Sequence, residues 1–272
     1  MTKRAIVTGG TAGIGFEVVQ TLLHRGYSVT ALGRNPSKLN EVIEALPNKE
    51  QQLEFLSCDF SDLNQVSDAA NHLKQHQWDV LINNAGAKVE SPKKQTVQGF
   101  EWHTGVNHLA HFYLTSQIWD AAAESARMLT VSSIVARTHV MTTSNEAAMS
   151  TADLYAKSKR ENLLFGLTVA RKLKNTNQSS TVAHPGFTRA SRYGASWIRP
   201  VEYLLAQPAR RGSETVLRGL DESNGSYIGP AVLELWGKPK PAKLPIEFLD
   251  ETEQNKFWKE TEEKLGIRFR LN

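Results

Sequence analysis

Short apolar segments alternate with longer helical segments along most of this chain, and this alternation constrains its fold more than any other feature. Strands separated by helices pair in parallel, because each helix returns the chain to the same end of the sheet. The pattern predicts a single-domain α/β fold: a doubly wound parallel β-sheet of about seven strands with helices on both faces. The predicted strands are 5–7, 27–32, 53–57, 80–82, 128–131, 181–183 and 232–235. The predicted helices are one ending near 24, then 36–46, 96–123, 151–174, 208–220 and 250–265.

Length and composition fit one domain spanning residues 1–272. No apolar run approaches the roughly 20 residues that a transmembrane helix needs. The first residues run directly into a strand, which leaves no room for a signal peptide. A single cysteine, Cys58, excludes an internal disulfide framework and favours a reducing compartment. We therefore expect a cytoplasmic protein without a membrane span.

The formal net charge of +4 comes from basic residues that are scattered among acidic ones. The short clusters are Lys93-Lys94 and Arg210-Arg211, and a solvated surface explains both. We expect no nucleic-acid partner and no metal site. Some of the basic residues would pair with a cofactor that carries several negative charges.

A glycine-rich turn, TGGTAGIG at residues 8–15, follows the first strand and begins the first helix. Glycines let the backbone turn sharply and approach a pyrophosphate closely, and the helix N-terminus presents free N–H groups to phosphate. A purely structural turn is the alternative for the motif alone. Its position after the first strand favours a Rossmann-type dinucleotide site, with the predicted contacts Gly9, Thr11, Gly13, Ile14 and Gly15.

The residue after the second strand indicates which dinucleotide binds. Proteins that prefer NAD usually place an acidic residue there for the ribose hydroxyls. Here the strand ends in Gly33-Arg34-Asn35, and the Arg34 guanidinium can pair with a 2′-phosphate that a carboxylate would repel. NADP is therefore favoured over NAD, and an ordinary surface arginine is the alternative.

Two further segments follow strands at the same edge of the predicted sheet. Asp59 and Phe60 follow the third strand, where the adenine would lie. Asn83, Ala85 and Gly86 follow the fourth strand, where small residues would admit the cofactor against the backbone. The alternatives are that Asp59 caps the next helix and that Asn-Ala-Gly forms only a turn.

Tyr155 and Lys159 are four residues apart on an amphipathic helix, which places them on one face. At about 5 Å and an effective dielectric constant of about 20, the ammonium would favour tyrosinate by roughly 3 kcal/mol, or about two pKa units. An ordinary helix face explains this pair when it stands alone. Ser133, which ends the fifth strand, and Asn107, in the middle of a helix, are the further candidates for the same crevice.

The ordered motifs resemble those of the short-chain dehydrogenase/reductase family, in its retinol-dehydrogenase-like branch. They cover about residues 4–190. The motifs are residues 8–15, Cys58-Asp59, Asn83 to Gly86, Val106 to Leu109, Ser132-Ser133, Tyr155 with Lys159, and His184-Pro185-Gly186.

This resemblance implies NADP-dependent, reversible hydride transfer between the nicotinamide and an alcohol or carbonyl carbon. It assigns Tyr155 as the proton donor, Ser133 as a hydrogen-bond donor to the substrate oxygen, and Asn107 as the holder of a relay water. It gives Lys159 two roles, lowering the Tyr155 pKa and bonding the nicotinamide ribose. Tyr155, Lys159, Pro185, Gly186 and Thr188 would also contact the cofactor. The resemblance further implies a homodimer or homotetramer built through the helices that carry Asn107 and Tyr155.

The chain departs from the family pattern near the substrate. Ser133 and Tyr155 are 22 positions apart, so residues 134–150 must form an extended loop, and Ser132 is the second choice for the serine. After Pro185-Gly186, the family usually has a hydroxyl residue where this chain has Ala190. The usual hydroxyl contact with the cofactor is therefore missing unless Ser191 supplies it.

The predicted substrate lid, 187–207, is rich in aromatic and apolar residues, which favours a hydrophobic aldehyde, ketone or alcohol as substrate. Packing within the lid is the alternative explanation. Residues 238–241, KPKP, are predicted to be a stiff surface linker into a C-terminal extension, 238–272. The extension would pack over the pocket or at a subunit interface.

Two other functions fit the same fold. A non-catalytic NADP sensor would usually lose the tyrosine or the lysine, and this chain retains both. An epimerase or dehydratase with tightly held NAD would be expected to carry an acidic residue after the second strand and a larger C-terminal domain.

Overall fold

The computed structural model describes residues 2–35, 44, 52–88, 91, 94–189 and 205–271. Most of the helix predicted at 36–46 and most of the predicted lid, including Ala190 and Ser191, lie outside the described residues. The described strands are β1 Arg4–Thr8, β2 Ser28–Gly33, β3 Leu53–Ser57, β4 Trp78–Asn83, β5 Ala122–Val131, β6 Ser179–Ala183, β7 Tyr227–Val232 and β8 Trp236–Pro241.

These strands form one sheet in the order β3-β2-β1-β4-β5-β6-β7-β8. All neighbouring pairs are parallel except β7 and β8, which are antiparallel. The chain begins in the middle of the sheet and winds outward in both directions. The predicted doubly wound α/β fold is confirmed, with eight strands among the described residues instead of about seven.

The C-terminal end of the sheet differs from the prediction. The predicted strand 232–235 contains only the last residue of β7 and the turn that follows it, and the predicted linker 238–241 is part of β8. Proline has no N–H to donate to a neighbouring strand. In a sequence it therefore suggests a linker, but in a sheet it can occupy an edge strand, where one side needs no partner. Here Pro239 pairs with Pro230, and Pro241 pairs with Ile228, in the edge strand.

The helices pack on both faces of the sheet. The described α-helices are α1 Gly13–His24, α2 Leu63–Leu73, α3 Trp102–Thr104, α4 Ala110–Ile118, α5 Val135–Thr138, α6 Thr151–Lys172, α7 Ala209–Gly219 and α8 Glu251–Leu265. A π-helical turn, Gly105–Leu109, joins α3 to α4. The 3-10 turns are Trp119–Ala121, Glu146–Ala148 and Ile246–Leu249. The helix predicted at 96–123 is therefore this composite run, which ends where β5 begins at Ala122.

Each face of the sheet has its own apolar core. α1 and α7 cover one face, and α2, α4 and α6 cover the other. α8 packs onto α6, and its Trp258 lies against Phe112 of α4 and Phe165 of α6. α8 therefore covers part of the helix pair through which the family resemblance implied assembly. None of the helices in the described ranges is long and apolar enough to cross a bilayer.

We expect Trp258→Ala to lower the free energy of unfolding by about 3–5 kcal/mol, because it empties a buried aromatic site. The Trp258 ring stacks on Phe269 at 5.1 Å and lies 4.8 Å from the Lys172 ammonium. Chemical denaturation measures the change. The neighbouring exposed residue gives the control: Lys259→Ala should stay within about 0.5 kcal/mol of wild type. Equal effects of the two substitutions would contradict the packing of α8.

Candidate active site

The site lies at the carboxyl ends of the strands, where the strand order reverses between β1 and β4 and the connections leave a crevice. A cavity of about 270 Å³ occupies it. Most of the residues predicted from the sequence line this cavity. They are Gly9, Thr11, Ile14, Gly15, Arg34, Asp59, Phe60, Ala85, Gly86, Ser133, Tyr155, Lys159, Pro185 and Gly186.

Four predicted site residues are not among the lining residues: Gly13, Asn83, Asn107 and Thr188. The Asn83 side chain points into the core and donates to the Thr115 hydroxyl at 3.3 Å. Side chains alternate along a strand, so the next residue, Asn84, faces the cavity instead. The Thr188 hydroxyl donates to the Pro185 carbonyl at 2.8 Å, which stabilises the loop that follows β6.

The glycine-rich turn has the shape of a phosphate cradle. Gly9 has a φ of +65°, in the left-handed region that favours glycine. A Cβ on Gly15 would overlap the Gly9 carbonyl oxygen. Within the described part of the chain, no side chain caps the N-terminus of α1, where Ala12 is the N-cap residue. The amides of the first turn therefore lie beside the cavity and can donate to an anion.

Arg34 is exposed directly after β2 and lines the cavity. Asp59 also lines the cavity, and its carboxylate accepts from the Ser61 amide at 2.9 Å and the Ser61 hydroxyl at 2.8 Å. The N-cap of α2 is Asp62, whose side chain accepts from the Asn64 amide. Asp59 therefore shapes the turn before α2, and the capping role considered for it belongs to Asp62.

Tyr155 and Lys159 lie one turn apart on α6, and both line the cavity. The Lys159 Nζ is 6.0 Å from the centre of the Tyr155 ring and donates to the Val131 carbonyl at 3.2 Å. A Cβ on Gly86 would lie 3.3 Å from the same Nζ, so the lysine reaches the segment after β4. Burial lowers the pKa of Lys159 to about 8.

The start of α6 is anchored by a capping box between Ser150 and Asp153. The Asp153 carboxylate also accepts from the Thr142 hydroxyl at 2.7 Å and contacts the His139 Nε2 at 2.8 Å. These hydrogen bonds hold the pKa of Asp153 well below its usual range. The segment predicted as an extended loop, 134–150, contains helix α5. Its His139 and Thr142 contact Asp153, which joins this segment to the first turn of α6.

The two serines after β5 differ in their surroundings. Ser132 is buried, and its hydroxyl donates to the Lys159 carbonyl at 2.6 Å. Both serines line the cavity, but Ser133 is half-buried, and no hydrogen bond of its hydroxyl to the protein is described. The geometry favours Ser133 over Ser132 as the serine that meets a substrate.

Asn107 occupies the π-helical turn and is fully buried. Its Nδ2 donates to the Ser158 hydroxyl at 3.0 Å and the Ala87 carbonyl at 3.2 Å, and its Oδ1 accepts from the Ala87 amide at 3.0 Å. A Cβ on Gly86 would lie 3.0 Å from that Oδ1. The Asn107 amide thus joins α6 to the segment after β4, next to the Lys159 ammonium. These hydrogen bonds explain why an asparagine, which is a poor helix former, occurs inside this helical run.

Sequence reasoning missed His111, which is buried and connects three parts of the site. Its Nδ1 lies 3.0 Å from the Asn107 carbonyl, and its Nε2 lies 2.9 Å from the Thr8 hydroxyl. That hydroxyl oxygen accepts from the Asn84 and Ala85 amides, both at 2.8 Å. Burial lowers the pKa of His111 to about 3, so the ring is neutral. We assign the proton to Nδ1, which donates to Asn107, while Nε2 accepts from Thr8. A histidine four residues after Asn107 was the available signal.

A thiol nucleophile does not fit this cavity. Cys58 lines it, but burial raises the pKa of the thiol to about 12, so the thiol stays protonated near neutral pH. Among the described residues no group of three or more His, Cys, Asp and Glu side chains could hold a metal ion.

A tyrosine-lysine pair that faces a glycine cradle at the switch point of a doubly wound sheet defines a class of protein: oxidoreductases that act on alcohol or carbonyl groups with a nicotinamide dinucleotide. The comparison with known families agrees with this class. Residues 3–197 match the short chain dehydrogenase family, and the chain belongs to it.

Relatives with known names place the chain near the retinol dehydrogenases. Mouse retinol dehydrogenase 11 is 30% identical, over 85% of this chain and 78% of that protein. Human retinol dehydrogenase 12 is 29% identical, over 98% of this chain and 87% of that protein. Human polyprenol dehydrogenase is 34% identical, over 70% of this chain and 62% of its own length. The predicted retinol-dehydrogenase-like branch is confirmed.

Solved structures show the same fold. An uncharacterized protein from Mycobacterium paratuberculosis superposes with a TM-score of 0.77 at 26% identity, covering 99% of this chain and 95% of that one. A short chain dehydrogenase from Burkholderia cenocepacia in complex with NADP superposes with a TM-score of 0.68 at 20% identity. It covers 83% of this chain and 94% of that one.

The buried Lys159 predicts how stability depends on pH. Its folded-state pKa of about 8 lies below the ordinary 10.5, so the folded protein binds fewer protons than the unfolded chain between these pH values. Stability should therefore rise with pH across this window. Relative to Lys159→Met, wild type should gain about 2 kcal/mol of unfolding free energy between about pH 7 and about pH 9.5.

Urea denaturation of both proteins, with no dinucleotide added, measures this difference. Both proteins should carry Tyr155→Phe, because the Lys159 charge would otherwise shift the titration of the neighbouring phenol; titrating groups remote from Lys159 are common to the two proteins and cancel. Parallel stability curves for wild type and Lys159→Met would show that the ammonium is not desolvated.

Proposed function

We propose that this protein is an NADP(H)-dependent oxidoreductase that interconverts an alcohol and a carbonyl group on a hydrophobic small molecule. One observation carries the proposal: the Tyr155 ring and the Lys159 ammonium, 6.0 Å apart, share a cavity with Ser133 and the glycine cradle. These groups combine an acid, a cation and a hydrogen-bond donor at the place where a dinucleotide would end.

The proposed single dinucleotide-binding domain spans 1–272, and its cradle fits the cofactor because side chains are excluded where phosphates would lie. When bound, the nicotinamide supplies or accepts the hydride. We assign the pyrophosphate to the turn Gly9–Gly15, the adenosine end to Arg34, Asp59 and Phe60, and the nicotinamide end to three short segments. These segments are Ala85-Gly86, Tyr155 with Lys159, and Pro185-Gly186 with Thr188.

In the reducing direction the Tyr155 phenol donates its proton to the substrate carbonyl oxygen as the carbon is reduced, and an alcohol results. The Lys159 cation stabilises the phenolate that remains by about 3 kcal/mol at an effective dielectric constant of about 20. A lysine pKa of about 8 keeps most of this cation charged at neutral pH. The same residues act in reverse when an alcohol is oxidised.

Ser133 and Asn107 support this proton transfer in different ways. The Ser133 hydroxyl donates to the substrate oxygen and holds it beside the Tyr155 phenol. Asn107 positions α6, because its amide joins Ser158 to the backbone of Ala87. The relay water expected from the resemblance would lie beside Asn107 and Lys159, which meet at Gly86.

The apolar part of the cavity wall supports a hydrophobic substrate. Trp102, Val106 and Ala87 line the cavity beside the polar residues. Retinol and polyprenol, named in the relatives, are hydrophobic alcohols. The predicted lid, 187–207, would complete this wall.

The remaining proposals concern assembly and compartment. We propose a homodimer or homotetramer in which α8, from the extension 238–272, contributes to the contact, because α8 covers part of α4 and α6. A single buried, protonated Cys58 supports action in a reducing compartment such as the cytoplasm.

Tyr155→Phe should abolish turnover while leaving NADPH binding nearly unchanged, because it removes only the hydroxyl group that supplies the transferred proton. We expect a loss of at least about a hundredfold in kcat. NADPH consumption with a panel of apolar aldehydes and ketones measures turnover, and NADPH fluorescence measures binding.

Tyr27→Phe is the matched control, since Tyr27 precedes β2 at the opposite end of the sheet. Retained turnover in Tyr155→Phe would refute the assigned role. Dinucleotide binding by wild type without turnover of any carbonyl or alcohol would favour the sensor function instead.

Arg34→Asp should shift the cofactor preference towards NADH, because the carboxylate repels a 2′-phosphate and can accept from the ribose hydroxyls. We expect the NADPH/NADH ratio of kcat/KM to fall by about a hundredfold, or roughly 3 kcal/mol. Arg25→Asp makes the same charge change at the exposed C-terminal end of α1 and should leave the ratio unchanged. An unaltered ratio in Arg34→Asp would remove this residue from cofactor selection.

A further inference from the structure

The turn between β7 and β8 has an unusual backbone. Leu233 and Glu234 have φ values of +51° and +56°, and they are the non-glycine residues with positive φ among those described. Each such residue costs roughly 1–2 kcal/mol. The Leu233 side chain is 77% exposed, so its burial offsets little of this cost. The contacts of this turn must therefore explain its conformation.

Glu234 makes those contacts through its carboxylate. It forms an ion pair with the Arg137 guanidinium, and its Oε2 lies 3.0 Å from the His184 Nε2. The His184 side chain is fully buried, and burial lowers its pKa to about 3. The ring is therefore neutral, and Nε2 donates its proton to the carboxylate. Arg137 also lies 5.1 Å over the Tyr227 ring and donates to the Lys243 carbonyl at 3.0 Å.

The partners of Glu234 lie close in sequence to two segments that line the cavity. Arg137 lies on α5, four residues after Ser133. His184 directly precedes Pro185 and Gly186, which line the cavity. One carboxylate thus joins the segment after β5, the loop after β6 and the β7–β8 turn.

The same turn also supports the loop after β6 directly. The Leu235 carbonyl, next to Glu234, accepts from the Phe187 amide at 3.0 Å. A Cβ on Gly186 would lie only 2.5 Å from that carbonyl oxygen. A displacement of Glu234 would therefore move Gly186, which faces the nicotinamide end of the cavity.

We propose that Glu234 is a positioning residue that sets the separation between the Ser133 hydroxyl and the Pro185-Gly186 loop. This inference rests on the proposed function, because the two groups would hold the substrate oxygen and the nicotinamide. The ion pair is largely buried, with side-chain exposures of 12% for Arg137 and 26% for Glu234. Loss of one charge leaves the other desolvated and unpaired, which forces the segments apart.

Glu234→Gln preserves the size of the side chain and removes its charge. We expect kcat for a carbonyl substrate to fall by about ten- to a hundredfold, because an error of about 1 Å in the reacting groups has that effect. The Kd for NADPH should change less than about threefold, since its phosphates and adenosine bind elsewhere. Stopped-flow turnover and NADPH fluorescence measure the two quantities.

Arg137→Met should cause a similar loss of kcat. The double variant Arg137→Met/Glu234→Gln should have a kcat between those of the single variants and wild type, because no unpaired charge remains but the ion pair that joins the two segments is still absent. If Glu234→Gln does not fold, the double variant provides the kcat measurement, and wild-type kcat in it would overturn the proposal.

Glu54→Gln is the matched control for a purely structural loss. The Glu54 carboxylate also joins two elements, accepting from the Thr30 hydroxyl at 2.8 Å and pairing with the His72 Nε2 at 2.6 Å. It should lower the melting temperature without changing kcat. Leu233→Gly should raise the melting temperature and retain kcat, because it relieves strain and keeps the carboxylate.

A lower melting temperature with kcat within about twofold of wild type in Glu234→Gln would show a structural tie only and would overturn the proposal. Wild type that turns over no carbonyl or alcohol, with either dinucleotide, would refute the proposed function and this inference together. Active wild type with an unaffected Glu234→Gln variant refutes the inference alone.

Discussion

A single buried ammonium is the interaction on which the rest of this site depends. The Lys159 Nζ is desolvated between α6 and the carboxyl ends of β4 and β5, and it donates to the Val131 carbonyl. Desolvation of the charged ammonium costs about 3 kcal/mol at neutral pH. The surrounding structure must supply this free energy, and in the proposed mechanism the cation acts on the Tyr155 phenol with little screening from water.

The surroundings of the ammonium are held by polar groups that are themselves buried and paired. Thr8, His111 and Asn107 form one hydrogen-bonded path from β1 through the helical run to α6. Asp153 ties the first turn of α6 to the insertion before it. Two of these hydrogen bonds, Thr8 with His111 and Asn107 with Ser158, link elements that are far apart in sequence, and they hold α6, which carries Tyr155 and Lys159, against the rest of the site.

Prediction succeeded where local chemistry decides the structure. The glycine turn, the strand ends and the i, i+4 pair follow from backbone sterics and helical periodicity, and their residues line one cavity. It failed where neighbours decide. Pro239 and Pro241 suggested a linker, but an edge strand accommodates them beside β7. The sequence does not distinguish Asn83 from Asn84. The position of the two residues at the end of β4 directs the Asn83 side chain towards Thr115 and the Asn84 side chain towards the cavity.

The sequence by itself determined the fold class and the family and indicated candidate residues for the proposed chemistry, because these depend on periodicity, glycine sterics and side-chain type. The tertiary structure alone decided which groups are charged, paired and facing the cavity. Desolvation makes Lys159 a weaker base, the Lys159 carbonyl takes the Ser132 hydroxyl, and a strained turn brings Glu234 to Arg137. Those properties depend on distances between residues remote in the chain, and only packing sets such distances.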